Sequence, residues 1–223
     1  MVPTDTTHEP KWRRLPEARP GQILDAAFEV FAERGLASAR LDDIARRAGV
    51  SKGTIYLYFP SKEDLFREVV RSTVGDAVED LSRRLNGPTA LDDLNTFMDA
   101  KWAFVCSDKF PPLHRWVHSE LNEYPELARF YGQEVLGKSR QLLRGIIERG
   151  ISQGEFRRMD PAVGSRMLMA LIATYGNWRH KPVLCESIGD RSDKQLLEEI
   201  REFYLNAILP ATVAGEVVTK PQS

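Results

Sequence analysis

Residues 41–65 read LDDIARRAGVSKGTIYLYFPSKEDL, and their spacing sets out three helix boundaries in succession. Leu41, Ile44, Ala45 and Ala48 recur at i, i+3, i+4 and i+7, the single apolar face of a short helix. Gly49 ends it, because glycine takes the left-handed conformation of a helix C-terminus without a steric cost. Ser51 is an N-cap for a second short helix whose buried side is Ile55 and Phe59. Pro60 closes that helix, and Ser61 with Asp64 three residues on has the form of a capping box opening a third. Upstream, Leu24, Ala27, Phe28 and Phe31 make a further apolar stripe, introduced by Pro20 and stopped by Gly35. Residues 19–66 therefore form one compact three-helix unit leading into a fourth helix.

Helix, glycine turn and second helix is the layout of a helix-turn-helix unit. The outward residues of the second helix suit a DNA major groove: Lys52, Thr54, Tyr56, Leu57 and Tyr58 stand where a solvated helix would carry Glu, Lys and Gln. Hydroxyls and a helix N-terminus donate to phosphate, Lys52 adds charge, and Gly53, lacking a Cβ, lets backbone approach backbone. The plainer reading makes the aromatics core residues of a bundle, but two tyrosines flanking Ile55 and Phe59 cannot both be buried. Overall charge does not advertise nucleic acid, with 31 Lys and Arg against 32 Asp and Glu. The segment 38–62 is biased nonetheless, carrying Arg40, Arg46, Arg47, Lys52 and Lys62 against Asp42 and Asp43.

The run Ile44-Ala45, Ala48-Gly49-Val50-Ser51, Gly53-Thr54-Ile55-Tyr56, Tyr58-Phe59, Ser61-Lys62 and Leu65 closely resembles the N-terminal domain of the TetR family of transcriptional regulators. The resemblance implies an all-helical homodimer with a DNA-binding domain on each subunit. It also implies a larger C-terminal domain that binds a small molecule and dimerises. The DNA contacts it implies are Arg40, Ser51, Lys52, Gly53, Thr54, Tyr56, Leu57, Tyr58 and Lys62. It departs at Arg40, a position where the family often has a hydroxyl that caps the following helix. The expected function is repression of transcription, relieved when a largely apolar or aromatic effector binds. Ligand-dependent activation by the same fold is the alternative.

The rest of the chain also reads as helices, giving an all-α protein: a basic arm (1–18), the helix-turn-helix domain (19–66), a ligand-binding and dimerisation domain (67–213) and a flexible tail (214–223). The arm, with Lys11, Arg13 and Arg14, could reach a minor groove or be a solvated tail. Helices are expected over 61–85, 91–106, 111–122, 125–149, 161–178 and 193–209, with no strand alternation and no repeat. Neither G-x-S-x-G, a P-loop nor H-E-x-x-H is present, which argues against an enzyme, and a purely architectural DNA protein would be far more basic. Cys106 and Cys185 lack metal or disulfide spacing, leaving a thiol redox sensor as a minor alternative. With no run of 18 apolar residues and a polar N-terminus, the expected location is the cytoplasm, with no membrane association and no cofactor.

Two assignments concern the C-terminal region. The helix over 161–178 is apolar on nearly every face and must be buried, within the chain or against a second copy. In the resembled family the last two long helices pair with their symmetry mates. The dimer interface is therefore expected at Ser165, Met169, Ile172 and Gly176 with Leu197, Ile200 and Tyr204. DNA half-sites about 34–36 Å apart call for a two-fold protein. The effector is expected among Trp102, Phe110, His114, Trp116, His118, Phe130, Tyr131, Tyr175 and Trp178, since small-molecule sites are apolar pockets with a few fixing polar groups. His114 and His118 share a helical face but lack a third ligand at metal spacing, so no metal is expected.

Overall fold

The structure is a computed structural model describing residues 19–116, 118 and 121–211; the basic arm and the tail expected from the sequence lie outside them. The described residues form ten α-helices and no strand. The first four are α1 (Arg19–Ser38), α2 (Leu41–Arg47), α3 (Lys52–Tyr58) and α4 (Lys62–Arg84). Next come α5 (Ala90–Val105), α6 (Phe110–Arg115) and α7 (Pro125–Phe130), and then α8 (Leu136–Ser152), α9 (Pro161–His180) and α10 (Asp193–Ile208).

The boundaries have local causes. Gly35 takes φ 77° and breaks α1 before its last turn, and Gly49 takes φ 65° between α2 and α3. Ser51 Oγ accepts from Thr54 N–H at 3.1 Å and Ser61 Oγ from Asp64 N–H at 3.0 Å. Thr89 with Asp92 and Ser192 with Gln195 close reciprocal capping boxes on α5 and α10. Asp160 caps α9, which Pro161 opens.

One expected helix is divided. Over 125–149, α7 gives way to a π-helical segment, Tyr131–Val135, before α8 begins. Arg140 Nη2 donates to the Gly132 carbonyl at 2.7 Å, holding a backbone oxygen that the widened turn leaves open. The helix expected over 111–122 is short as well; α6 ends at Arg115.

Buried side chains gather into two cores. The first joins Ile23, Phe31, Ile44, Ile55 and Leu65 of the N-terminal helices to Leu113, Trp116, Leu127 and Phe130. The second lies between α5, α8, α9 and α10. A domain boundary at 66 therefore cuts through α4 and through the first core. Leu65 to Val78 of α4 belong to the first core and Leu81 to the second, so α4 spans both.

Candidate DNA interface and effector cavity

The exposed face of α3 follows from its short length: with Ile55 fully buried and Phe59 close behind, the remaining residues have nowhere else to point. Tyr56 is 49% exposed and Leu57 82%, with Tyr58 also exposed beside them. Ser51, Lys52, Gly53 and Arg40 are exposed on the same unit, and Thr54 is half-buried against the Ser51 hydroxyl at 2.9 Å. Arg40 occupies the N-cap position of α2 and makes no side-chain cap, as its departure from the family pattern implies. Lys52 pairs with Asp42 at 3.0 Å, a contact that holds its ammonium above the usual lysine range. On α2, Asp43 engages both Arg34 and Arg46, while Arg47 makes a two-pronged bond to Glu33. Arg46 of α2 keeps most of its side chain in solvent, an exposed cation that a count of α3 alone overlooks.

Lys62 is engaged within the protomer. Its ammonium donates to the carbonyls of Leu36, Ala37 and Ala39, at 2.7, 3.2 and 3.3 Å, and so ties α4 to the end of α1.

Within the C-terminal region a cavity of about 180 Å³ opens between α4, α5, α6, α8 and α9. Phe110, His114, His118 and Tyr131 line it, four of the residues expected from the sequence. The other five lie elsewhere. Trp102 donates its indole N–H to the Asp193 carbonyl at 2.8 Å, fastening α5 to α10. Trp116, 1% exposed, fills the first core edge-on to Phe28, Phe31 and Phe66. Phe130 packs in that core beneath the Arg71 guanidinium. Tyr175 and Trp178 meet ring to ring at a tilt, centroids 5.4 Å apart, and pack against the second core, away from the cavity wall. An aromatic count does not separate a lining residue from a filler.

Most residues expected at the dimer interface have contacts within the protomer. Met169 and Ile172 line the cavity. Ser165, Ile200 and Tyr204 are buried within the chain, the Tyr204 hydroxyl donating to the Gly164 carbonyl at 3.0 Å. At Gly176 an added Cβ would lie 2.0 Å from Val105 Cγ1, so the missing side chain serves close contact between α9 and α5. Leu197 packs on the second core from a half-buried position. Helix α9 is apolar around its girth because α5, α8 and α10 enclose it. Apolar side chains left in solvent include Met167, 59% exposed, with Ala170 one turn on, Val183 and Leu184 just after α9, and Phe203 of α10, 67% exposed.

Sequence reading passed over the most unusual residue of the cavity. Lys101 lines it from α5, its ammonium donating to Ser139 Oγ of α8 at 2.7 Å and lying 5.6 Å from the Phe97 ring centroid. Burial pushes its amine down to about 8 from an ordinary 10.5. A lone lysine in a helix reads as solvated surface, and no one-dimensional signal marks it otherwise. Burial likewise pushes the Tyr131 phenol up to about 12. A second, more polar cavity lies alongside, sharing Phe110, His114 and His118 and adding Arg115, Asn177, His180 and Lys181. The His114 and His118 rings sit 4.2 Å apart, and burial, followed by the neighbouring His118 and Lys181, holds His114 below the usual histidine range. No group of three metal-ligating side chains occurs among the described residues. Burial pushes the Cys106 thiol up to about 11, far from the low values of reactive cysteines. No helix among the described residues is long and apolar enough to cross a membrane.

Between the cavity and α1 stands α6. Phe110, Leu113 and His114 of α6 form part of the cavity wall. Just past its end, Trp116 Nε1 donates to the Phe31 carbonyl at 3.2 Å, and Arg115 donates to the Ala32 carbonyl. One short helix thus touches the cavity on one side and α1 on the other.

Comparison with known proteins bears on both regions. Residues 23–69 match the model of the tetR family of bacterial regulatory proteins, and residues 92–207 that of the C-terminal domain of AefR-like transcriptional repressors. The fatty acid metabolism regulator protein of Bacillus subtilis is 31% identical over 153 residues, covering 68% of this chain and 78% of its own length. The transcriptional repressor KstR2 of Rhodococcus jostii is 29% identical over 160 residues, 70% of this chain and 73% of its own. Among solved structures, the fatty acid degradation regulator FadR of Bacillus halodurans superposes with TM-score 0.71 at 26% identity, covering 86% of this chain and 97% of its own. FadR of Bacillus subtilis in complex with stearoyl-CoA does so with TM-score 0.67 at 26% identity, covering 83% and 96%.

Proposed function

The chain belongs to the TetR family of bacterial regulatory proteins, DNA-binding repressors that answer to small molecules, and from that premise we propose how its own residues do both. The α3 face reads operator DNA. Tyr56, Leu57, Tyr58, Lys52 and Thr54 enter the major groove, while Arg40, Arg46 and the α3 N-terminus at Ser51 and Gly53 hold the phosphates. On docking, Lys52 exchanges Asp42 for phosphate.

The effector enters the cavity behind α6. The wall is apolar apart from Lys101, Ser139, Tyr131 and the two histidines, which favours a small, mostly apolar molecule. The cavity is smaller than the roughly 300–1,000 Å³ of most drug-sized sites, so a chain as long as the stearoyl group bound by the Bacillus subtilis relative would require its walls to part. Repression is relieved because the effector favours an arrangement of α6 in which Trp116 and Arg115 no longer seat α1 for DNA. Its leverage equals its preference for that arrangement and no more. The observation that carries this reading is the double contact of α6, cavity wall on one side and α1 on the other.

The protein acts as a homodimer in the cytoplasm and catalyses no reaction. Two reading heads are brought to neighbouring half-sites through the α9 and α10 surface bearing Met167, Ala170 and Phe203. A binding assay on DNA from upstream of the protein's own gene, run with and without a ligand panel, tests the reading. Operator affinity that no ligand lowers, together with thermal stabilisation by polar cations alone, would sink the effector assignment.

A further inference from the structure

Lys101 is costly where it stands. An ammonium taken out of water loses hydration that one hydroxyl does not replace, and Ser139 is the hydrogen-bond partner it has. No carboxylate among the described residues forms an ion pair with it. Elsewhere the chain pairs its less exposed cations closely: Arg149 meets the buried Asp93 at 2.8 Å, and Arg201 meets both Glu198 and Asp99. Phe97 offers its ring to the ammonium from one side, at 5.6 Å, and the remaining approach is the cavity itself. The wall there is largely apolar, with Val74, Phe104, Leu136, Met169 and Ile172, and its other polar side chains, Tyr131, His114 and His118, form no hydrogen bond with the ammonium, whose partner is Ser139. A methionine would fill the same space more stably, so a lysine here is a charge held ready for something that enters from outside.

We propose that Lys101 and Ser139 form the anchor for the effector's anionic group, and that the effector class is small hydrophobic carboxylates. The carboxylate accepts from the Lys101 ammonium and the Ser139 hydroxyl, and its hydrocarbon body lies along Phe104, Leu136, Met169 and Ile172. A molecule of the same body ending in a neutral alcohol recovers the apolar contacts but leaves the ammonium unpaired. This assignment rests on the cavity being the effector site and names what selects the ligand there.

Calorimetric titration of the full chain with octanoate, 1-octanol and octylamine tests it, using wild type, Lys101→Met, Lys101→Arg and Ala173→Phe. Octanoate should bind wild type about tenfold more tightly than octanol, the discrimination expected of a charge-assisted hydrogen bond. The two affinities should converge in Lys101→Met, and the preference should return in Lys101→Arg. Ala173→Phe, which fills the cavity, should abolish both. Equal affinity for octanoate and octanol in wild type, or a preference that survives Lys101→Met, overturns the anchor; if Ala173→Phe still removes binding, the cavity reading stands without it. Binding unaffected by Ala173→Phe removes both.

Discussion

The α3 face and the cavity, the two surfaces to which the proposed function assigns DNA and effector, are built on opposite plans. On α3 one buried residue, Ile55, and one cap, Ser51, leave all the other side chains but the half-buried Thr54 in solvent, so the proposed DNA contacts sit where packing makes little demand. In the cavity, function shares its residues with the core: Phe110, Ile172 and Met169 hold helices together and form its wall at once. Substitutions on α3 should therefore change DNA affinity and little else, whereas those around the cavity should move stability and response together.

The largest expected effect falls where the two regions meet. Trp116→Ala removes a fully buried indole from the junction of α1, α4 and α6 and should cost about 3–5 kcal/mol by chemical denaturation. Trp116→Phe keeps most of the packing and loses the bond to the Phe31 carbonyl, so the fold should survive with weaker coupling between effector and DNA. Next comes Tyr56→Ala: about 1–3 kcal/mol of operator affinity by fluorescence anisotropy, with melting temperature and effector binding unchanged. A large stability loss in that variant would break the contrast between the two surfaces.

Gly176→Ala should destabilise by about 1–3 kcal/mol, because its Cβ meets Val105 inside the protomer. An interface role for Gly176 would instead show as a weaker dimer with an unchanged monomer fold. The most diagnostic effect is that of Lys101→Met, which should raise the melting temperature of the effector-free protein at pH 7. The folded-state amine is held at about 8 and the unfolded one near 10.5. Between those values the unfolded chain carries the proton and the folded chain does not. Wild-type stability should therefore climb with pH across that window relative to Lys101→Met, whose curve lacks this rise.

How much was legible divides along the same line. The head was readable because its determinants are local: Gly49 at positive φ, Ser51 and Ser61 capping their own helices, and Ile55 and Phe59 one turn apart. The contacts of Lys62 were not legible even there, because the carbonyls it caps lie more than twenty residues away in sequence. The cavity depends almost wholly on such distant meetings. Met169 and Ile172 carry the same apolar signature whether they face a partner, a core or a ligand. Trp102 reads as a binding aromatic until the carbonyl it serves, that of Asp193, is brought beside it. Lys101 becomes unusual only once Phe97 and Ser139 have closed around it. The family resemblance predicts a cavity but not which residues form its wall.

The central claim is that occupancy of the cavity governs the α3 face. The direct measurement is the affinity of wild type and Ala173→Phe for their upstream DNA, by fluorescence anisotropy, with and without saturating octanoate. Octanoate should weaken wild-type binding by a factor of roughly 5–150, the usual range of allosteric coupling, and DNA should weaken octanoate binding by the same factor. Ala173→Phe should bind DNA and ignore octanoate. Wild-type affinity that stays the same with the cavity demonstrably filled would contradict the account.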